Sequence, residues 1–350
     1  MIFEGFLALV AGYASAFGLI DRPQTPKVRP YAIHNVKIEG GESHITLDAE
    51  ITIPTNAHKA PAIVFITGSG PHNKDEELLG HKPFLVLSDY LTRKGYIVLR
   101  FDDRGVGQST GDFASATPKE FAEDAAAALS FLRSHPKVDP QATGYLGHSE
   151  GGYIAPMAQQ LEPADFHVYL AGPALPLLPD VMLSQVADVA KTSGATDAEI
   201  ASNRRQVKTL AAILKSAETL DEVKDRISRL LKEANATKAE RDENMEVWAT
   251  EWARFYANHG PAPALKNLKI PVFALYGGSD IQVSAAENAP IMASYLRHQS
   301  SRVVTLPHHN HLFQWSATGA LEEYLTISTT METQAMQTIA DWLEETVRSH

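Results

Sequence analysis

Between residues 60 and 172 the chain alternates short apolar runs with longer amphipathic stretches, and this order constrains the fold more than any other feature. Runs at 62–67, 96–101, 142–146 and 167–171 read as buried strands, and the stretches 83–94, 118–134 and 152–161 read as helices. Strands that alternate with helices imply a parallel sheet covered on both faces, and its functional crevice lies at the carboxyl ends of the strands. The alternation then stops. Residues 173–263 carry helical patterns at 180–191, 197–215, 220–234 and 238–258 with no convincing strand, and prolines and a Gly-Pro-Ala-Pro run mark the two ends. It resumes with strands at 272–276 and 302–306 and helices at 285–298 and 332–348. Upstream, alternation at 33–38 and 44–53 predicts an antiparallel hairpin at the sheet edge. The organisation expected is an apolar segment at 1–22, a core of 23–172, an inserted helical cap of 173–263, and the rest of the core at 264–350.

Directly after the run at 142–146 stands Gly147-His148-Ser149-Glu150-Gly151. Glycines on both flanks let a strand turn sharply into a helix, with the middle serine strained and its hydroxyl lifted clear. Ser149 is therefore a candidate nucleophile, although the pentapeptide also occurs as a plain strand-to-helix turn. A serine hydroxyl needs a base, and the base needs a carboxylate to fix its tautomer. Asp280 follows the run at 272–276 through Gly277-Gly278-Ser279 and suits that carboxylate; it could equally start a turn or cap the next helix. The loop after 302–306 offers His308, His309 and His311 as bases. Metal binding through His309 and His311 lacks a third ligand and a His-Glu-x-x-His spacing.

Composition narrows the partners. Thirty-one Lys and Arg against 42 Asp and Glu give a net charge of −11 without a basic block, which disfavours nucleic acid and anionic membranes. With no cysteine there is no disulfide, thiol nucleophile or thiolate metal site. A hydrophobic share of 44% over 350 residues is ample for a large core. The stretch at 1–20 is apolar with Ala14-Ser15-Ala16 but holds Glu4 and no preceding Lys or Arg. It reads as a docked helix or strap, which slightly favours a cytoplasmic location, with an export signal as the alternative. Its uncharged part is short of the ~20 residues that span a bilayer.

Four motifs together resemble the α/β-hydrolase esterases of bacteria related to prolyl oligopeptidase-like and dienelactone-hydrolase-like groups. They are Ile66-Thr67-Gly68-Ser69-Gly70-Pro71, Phe101-Asp102-Asp103-Arg104-Gly105-Val106-Gly107, Gly147 to Gly152, and Asn310-His311-Leu312-Phe313-Gln314. The resemblance covers the chain from about Pro23 and implies an α/β-hydrolase fold with a cap. It also implies a Ser149-His311-Asp280 triad, in the family's chain order Ser, Asp, His. A tetrahedral intermediate needs two fixed N–H donors. The Glu150 amide is one, and correspondence puts the second at Ser69, with Gly70 as fallback. The implied activity is hydrolysis of small carboxylic esters, short acyl chains favoured, with no metal or organic cofactor. A peptidase, amidase or thioesterase with the same triad is the alternative, and oligomeric state is not legible. Two departures from the family pattern are His309 before Asn310 and the absence of Asp-Pro near Asn258-His259-Gly260-Pro261. The turn at 102–104 is expected to order the oxyanion side by Arg-carboxylate pairing, Asp75-Glu76-Glu77 to be a solvated loop, and Trp248, Trp252 and Phe255 to form a buried stripe.

Overall fold

The computed structural model describes residues 22–348; the apolar segment at 1–20 lies outside them. One sheet of eight strands organises the chain, in the order β1-β2-β4-β3-β5-β6-β7-β8. The strands are β1 (Ala32–Glu39), β2 (Thr46–Ile53), β3 (Ala60–Ile66), β4 (Ile97–Phe101), β5 (Val138–His148), β6 (Phe166–Leu170), β7 (Val272–Gly277) and β8 (Arg302–Leu306). The expected hairpin forms, with Ala32 opposite Ile53 and Glu39 opposite Thr46, and β2 pairs antiparallel with β4. Every other pairing is parallel.

The central strands are buried along their length because helices cover both faces: β4, β6 and β7 are buried at every residue, Arg100 of β4 and His167 of β6 included. The rims differ. β1 exposes Ala32, His34, Asn35, Lys37 and Glu39, and β8 is only five residues long with Arg302 and Thr305 exposed.

Three helices follow strands in the first half: α1 (Pro83–Arg93), α2 (Pro118–Arg133) and α3 (Gly151–Ala158). Proline at the first turn of α1 and α2 suits a position whose N–H has no helical partner, and Thr117 and Glu120 close a capping box on α2. Because β3 lies between β4 and β5, successive crossovers leave it in opposite directions, and a crevice opens at the carboxyl ends of β3 and β5.

Between β6 and β7 the chain has no strand. A helical turn at Leu177–Val181 leads into α4 (Met182–Thr192), α5 (Asp197–Ser216), α6 (Leu220–Glu233), α7 (Lys238–Trp248), α8 (Glu251–Asn258) and α9 (Ala262–Asn267). The single helix expected over 238–258 is two, because Thr250 takes an extended conformation and its hydroxyl accepts from the Ala253 amide, starting a new helix. Ala262 and Pro263, the last two residues of the Gly260–Pro263 run read as a breaker, open the helix α9, with proline in the first turn, where it is tolerated. Val207, Leu210, Leu214, Val223, Ile227, Leu231 and Tyr256 build an apolar cluster of their own, joined by Tyr153 of α3.

The second half adds α10 (Ala285–Tyr295), a short α11 (Glu323–Thr326) and α12 (Thr333–Val347). Trp342 of α12 is fully buried and stacks on Phe273 of β7 with ring centroids 5.4 Å apart. Among the described residues no helix is long and apolar enough to cross a membrane.

Candidate active site

Ser149 sits at the end of β5 with φ +51°, a left-handed conformation rare for a residue with a side chain. Its amide donates to the carbonyl of Leu170, 2.8 Å away. The flanking glycines are required by space. A Cβ on Gly147 would lie 2.2 Å from Gly151, and one on Gly151 would lie 2.2 Å from the Ile66 carbonyl oxygen. The turn can therefore close only when β3, the elbow and α3 meet backbone to backbone.

Asp280 and His311 come together as the sequence reading expected. His311 Nδ1 is 2.7 Å from Asp280 Oδ2, and both side chains are buried. The other oxygen of Asp280 accepts from the amides of Gln282 (2.8 Å) and Val283 (3.0 Å), so the same carboxylate forms a turn and faces His311. His311 rides on a turn built by Asn310, whose Oδ1 accepts from the amides of Leu312 and Gln314. His309 is buried with Nδ1 2.7 Å from the Pro307 carbonyl oxygen, while His308 is exposed. Among the described residues no group of three or more metal-type side chains is placed to hold an ion.

His148 links the elbow to the other two loops. Its Nε2 lies 3.0 Å from the His311 carbonyl oxygen, which can only accept, so this nitrogen carries a proton. Its Nδ1 lies 2.8 Å from Glu76 Oε1, and that same oxygen accepts from the Gly68 amide at 2.7 Å. Burial pulls His148 down, but the facing Glu76 carboxylate outweighs it and leaves the imidazole above its ordinary value. Burial pushes Glu76 up, and the charge of His148 together with its hydrogen bond outweighs this and holds the carboxyl below its ordinary value. Both shifts favour the ion pair of an imidazolium and a carboxylate. Glu76, read in sequence as part of a solvated acidic run, is 3% exposed. The run carries no local signal of this, because its partner comes from another strand end.

The loop after β3 supplies the remaining backbone donors. A Cβ on Gly68 would come within 3.3 Å of Ser149 Cβ, which puts this loop against the elbow. The Gly68 amide is taken by Glu76, whereas the amides of Ser69 and Glu150 have no acceptor among the described residues. Asp103 holds the loop from behind, accepting from Thr67 Oγ1 (2.7 Å) and from the His72 amide (2.9 Å). Its burial raises that carboxyl well above the ordinary range. Asp102 accepts from the Lys74 amide at 2.7 Å. Arg104 does form carboxylate pairs, with Asp124 on α2 and with Glu42, neither of them in the 102–104 turn. Asp102 and Asp103 instead order the loop after β3.

Sequence reasoning did not anticipate that the Glu150 side chain turns toward α8. Its Oε1 accepts from Trp252 Nε1 at 2.8 Å and from the Tyr256 hydroxyl at 2.7 Å. The aromatic spacing of four residues was the available signal, and it reads by itself as a packing stripe. A cavity of about 890 Å³ lies at the amino ends of the parallel strands between Tyr31, Lys59, Arg93 and Arg348. None of Ser149, Asp280 or His311 lines it.

Comparison with known proteins bears on the family and the fold. The family model for X-Pro dipeptidyl-peptidase (S15 family) matches residues 41–316, well over half the chain. Esterase EstD of Thermotoga maritima is 27% identical over 266 residues, covering 76% of this chain; the chain spans 58% of that relative's length. Among solved structures, Est1E from Butyrivibrio proteoclasticus with ferulic acid bound aligns at a TM-score of 0.55 and 17% identity, over 89% of this chain and 99% of that one. The Pyrococcus horikoshii acylaminoacyl peptidase aligns at 0.53 and 15% identity, over 93% of this chain and 43% of that one. These structural likenesses fix the fold as that of the α/β-hydrolases, with the expected mostly parallel sheet.

Proposed function

The chain belongs to the X-Pro dipeptidyl-peptidase (S15) family, and from that premise we propose that it is a serine hydrolase that cleaves small carboxylic esters through an acyl-enzyme. The observation that carries the reading is the buried Asp280–His311 pair brought beside a strained serine elbow. In this reading Ser149 Oγ attacks the ester carbonyl while His311 Nε2 takes its proton, and Asp280 fixes the tautomer by accepting from Nδ1. The amides of Glu150 and Ser69 receive the charge that develops on the carbonyl oxygen. His311 then returns the proton to the leaving alcohol, and water activated by the same imidazole releases the acid. Residues 173–263, with the apolar cluster described above, act as a cap that limits acyl length.

The family description and the acylaminoacyl peptidase neighbour favour a second reading, in which the same residues cut a peptide bond. A dipeptidyl-peptidase must hold a cationic amino terminus. Glu150 is the buried carboxylate beside Ser149, and its Oε1 already serves Trp252 and Tyr256, which supports the ester reading. The test is a steady-state and burst assay with p-nitrophenyl acetate, butyrate and octanoate beside aminoacyl p-nitroanilides, comparing wild type with Ser149→Ala. Ester turnover should fall with chain length and drop by ~10⁴-fold or more in the variant, with no anilide cleavage. Anilide turnover of comparable efficiency transfers the assignment to a peptidase, and unchanged activity in Ser149→Ala ends the serine mechanism.

A further inference from the structure

The reaction proposed above uses only the amide of Glu150, yet its side chain is among the most heavily bonded in the site. The residue is 5% exposed, and its carboxylate receives two donors from α8, Trp252 Nε1 and the Tyr256 hydroxyl. The Ser69 hydroxyl also faces it and helps to hold it ionised. Burial still leaves this carboxyl above its ordinary value, as expected for a charge withdrawn from water. Three chain segments therefore converge on one group: the elbow, the loop after β3 and a helix from the segment between β6 and β7.

Helix α8 has a second attachment beside the first. The Tyr153 hydroxyl on α3 donates to the His259 carbonyl oxygen, just past the end of α8, at 2.7 Å. The rings of Tyr153 and Tyr256 meet edge to face at 4.9 Å, and those of Trp252 and Tyr256 at 5.0 Å. The carboxylate of Glu150, whose amide is assigned to the oxyanion, is thus held by α8, and the Ser69 hydroxyl acts on it electrostatically.

We propose that the Glu150 carboxylate is a latch through which seating of α8 holds the two oxyanion donors in register. With α8 seated, Trp252 and Tyr256 fix the carboxylate, and the carboxylate fixes the elbow peptide and Ser69. With α8 lifted, the carboxylate loses its two measured donors and both amides lose their fixed direction. Trp252 and Tyr256 are positioning residues: they act through the amides and not on the substrate. The inference rests on the serine-hydrolase reading.

A latch of this kind stabilises the transition state more than the bound ester, so its loss appears in kcat and leaves KM nearly unchanged. The experiment uses the full chain with Tyr256→Phe, Trp252→Phe and the double variant, together with Glu150→Gln and Glu150→Ala. Five quantities are read: kcat and KM on p-nitrophenyl butyrate, the Ki of an alkyl trifluoromethyl ketone, the rate of Ser149 labelling by a fluorophosphonate, and Tm. The ketone forms a hemiketal oxyanion on the serine and so reports the donors directly.

The double variant should lose ~10- to 100-fold in kcat and the same factor in ketone affinity, with KM within about 3-fold of wild type. Glu150→Gln, which keeps an acceptor oxygen, should retain more activity than Glu150→Ala. Should the double variant fail to fold, Tyr256→Phe decides the matter alone, because it removes one oxygen and keeps the ring packing; ~3- to 10-fold in kcat and Ki is then expected. Unchanged kcat and Ki, or a loss confined to KM, overturns the latch and makes α8 a pocket wall. Failure of the underlying reading looks different: wild-type Ser149 would not react with the fluorophosphonate at all.

Discussion

His148 shows how much of this site is carried by residues beside the expected triad. It ties the His311 backbone to Glu76, and Glu76 ties it to Gly68, so the loop after β8 and the loop after β3 are joined through one buried His148–Glu76 pair. The pair has a defined pH window. Glu76 is held below its ordinary 4.5, so its stabilisation is present above that pH and is lost as the pH falls through its lower folded value. His148 is held above its ordinary 6.5, so its stabilisation is complete below that pH and is lost as the pH rises through its higher folded value. The Tm gap between wild type and a Glu76→Gln, His148→Gln double variant should be widest between pH 4.5 and 6.5 and shrink on either side. A gap independent of pH contradicts the ion-pair assignment. Ser149, Asp280 and His311 were legible because each sits in a local motif at a strand end. Glu76 was not: three acidic residues in a row look solvated, and only the tertiary fold brings His148 over one of them.

At the scale of elements, the elbow is a three-body contact between β3, β5 and α3, and Gly151 is where they are closest. A Cβ there would meet the Ile66 carbonyl oxygen at 2.2 Å and that of Thr67 at 2.8 Å, neither of which belongs to a side chain that can swing away. Gly151→Ala should cost about 1–3 kcal/mol and lower Tm while moving the loop that bears Ser69, so hydrolysis should fall as well. A variant with wild-type Tm and activity would mean that β3 yields freely. The alternation of strands and helices was legible throughout, since each run is apolar and bounded by turn residues. The break at Thr250 was not, because aromatic residues at 248, 252 and 255 keep a helical rhythm across it. Rhythm reports which face is buried; the capping hydroxyl decides where a new helix starts.

The whole molecule has a large core around the sheet and a smaller apolar cluster among α5, α6 and α8, with Tyr153 belonging to the smaller one. The smaller cluster is built from amphipathic helices with exposed outer faces, so it should open at lower free energy than the sheet. Amide hydrogen exchange should be faster in α5 to α7 than in β4, β6 and β7; equal protection would make the protein one cooperative unit. The parallel sheet and its strandless interruption were readable from sequence, but their mutual attachment through Glu150 was not, since it joins residues about a hundred positions apart. The sheet itself does not close, and its rims bear on solubility. An unpaired rim invites another chain to add a strand, which is how many folded proteins begin to aggregate. Here one rim is lined with His34, Asn35, Lys37 and Glu39 and the other is only five residues long, so neither offers a long apolar template, and a concentrated solution of the folded protein is guarded against growth by strand addition.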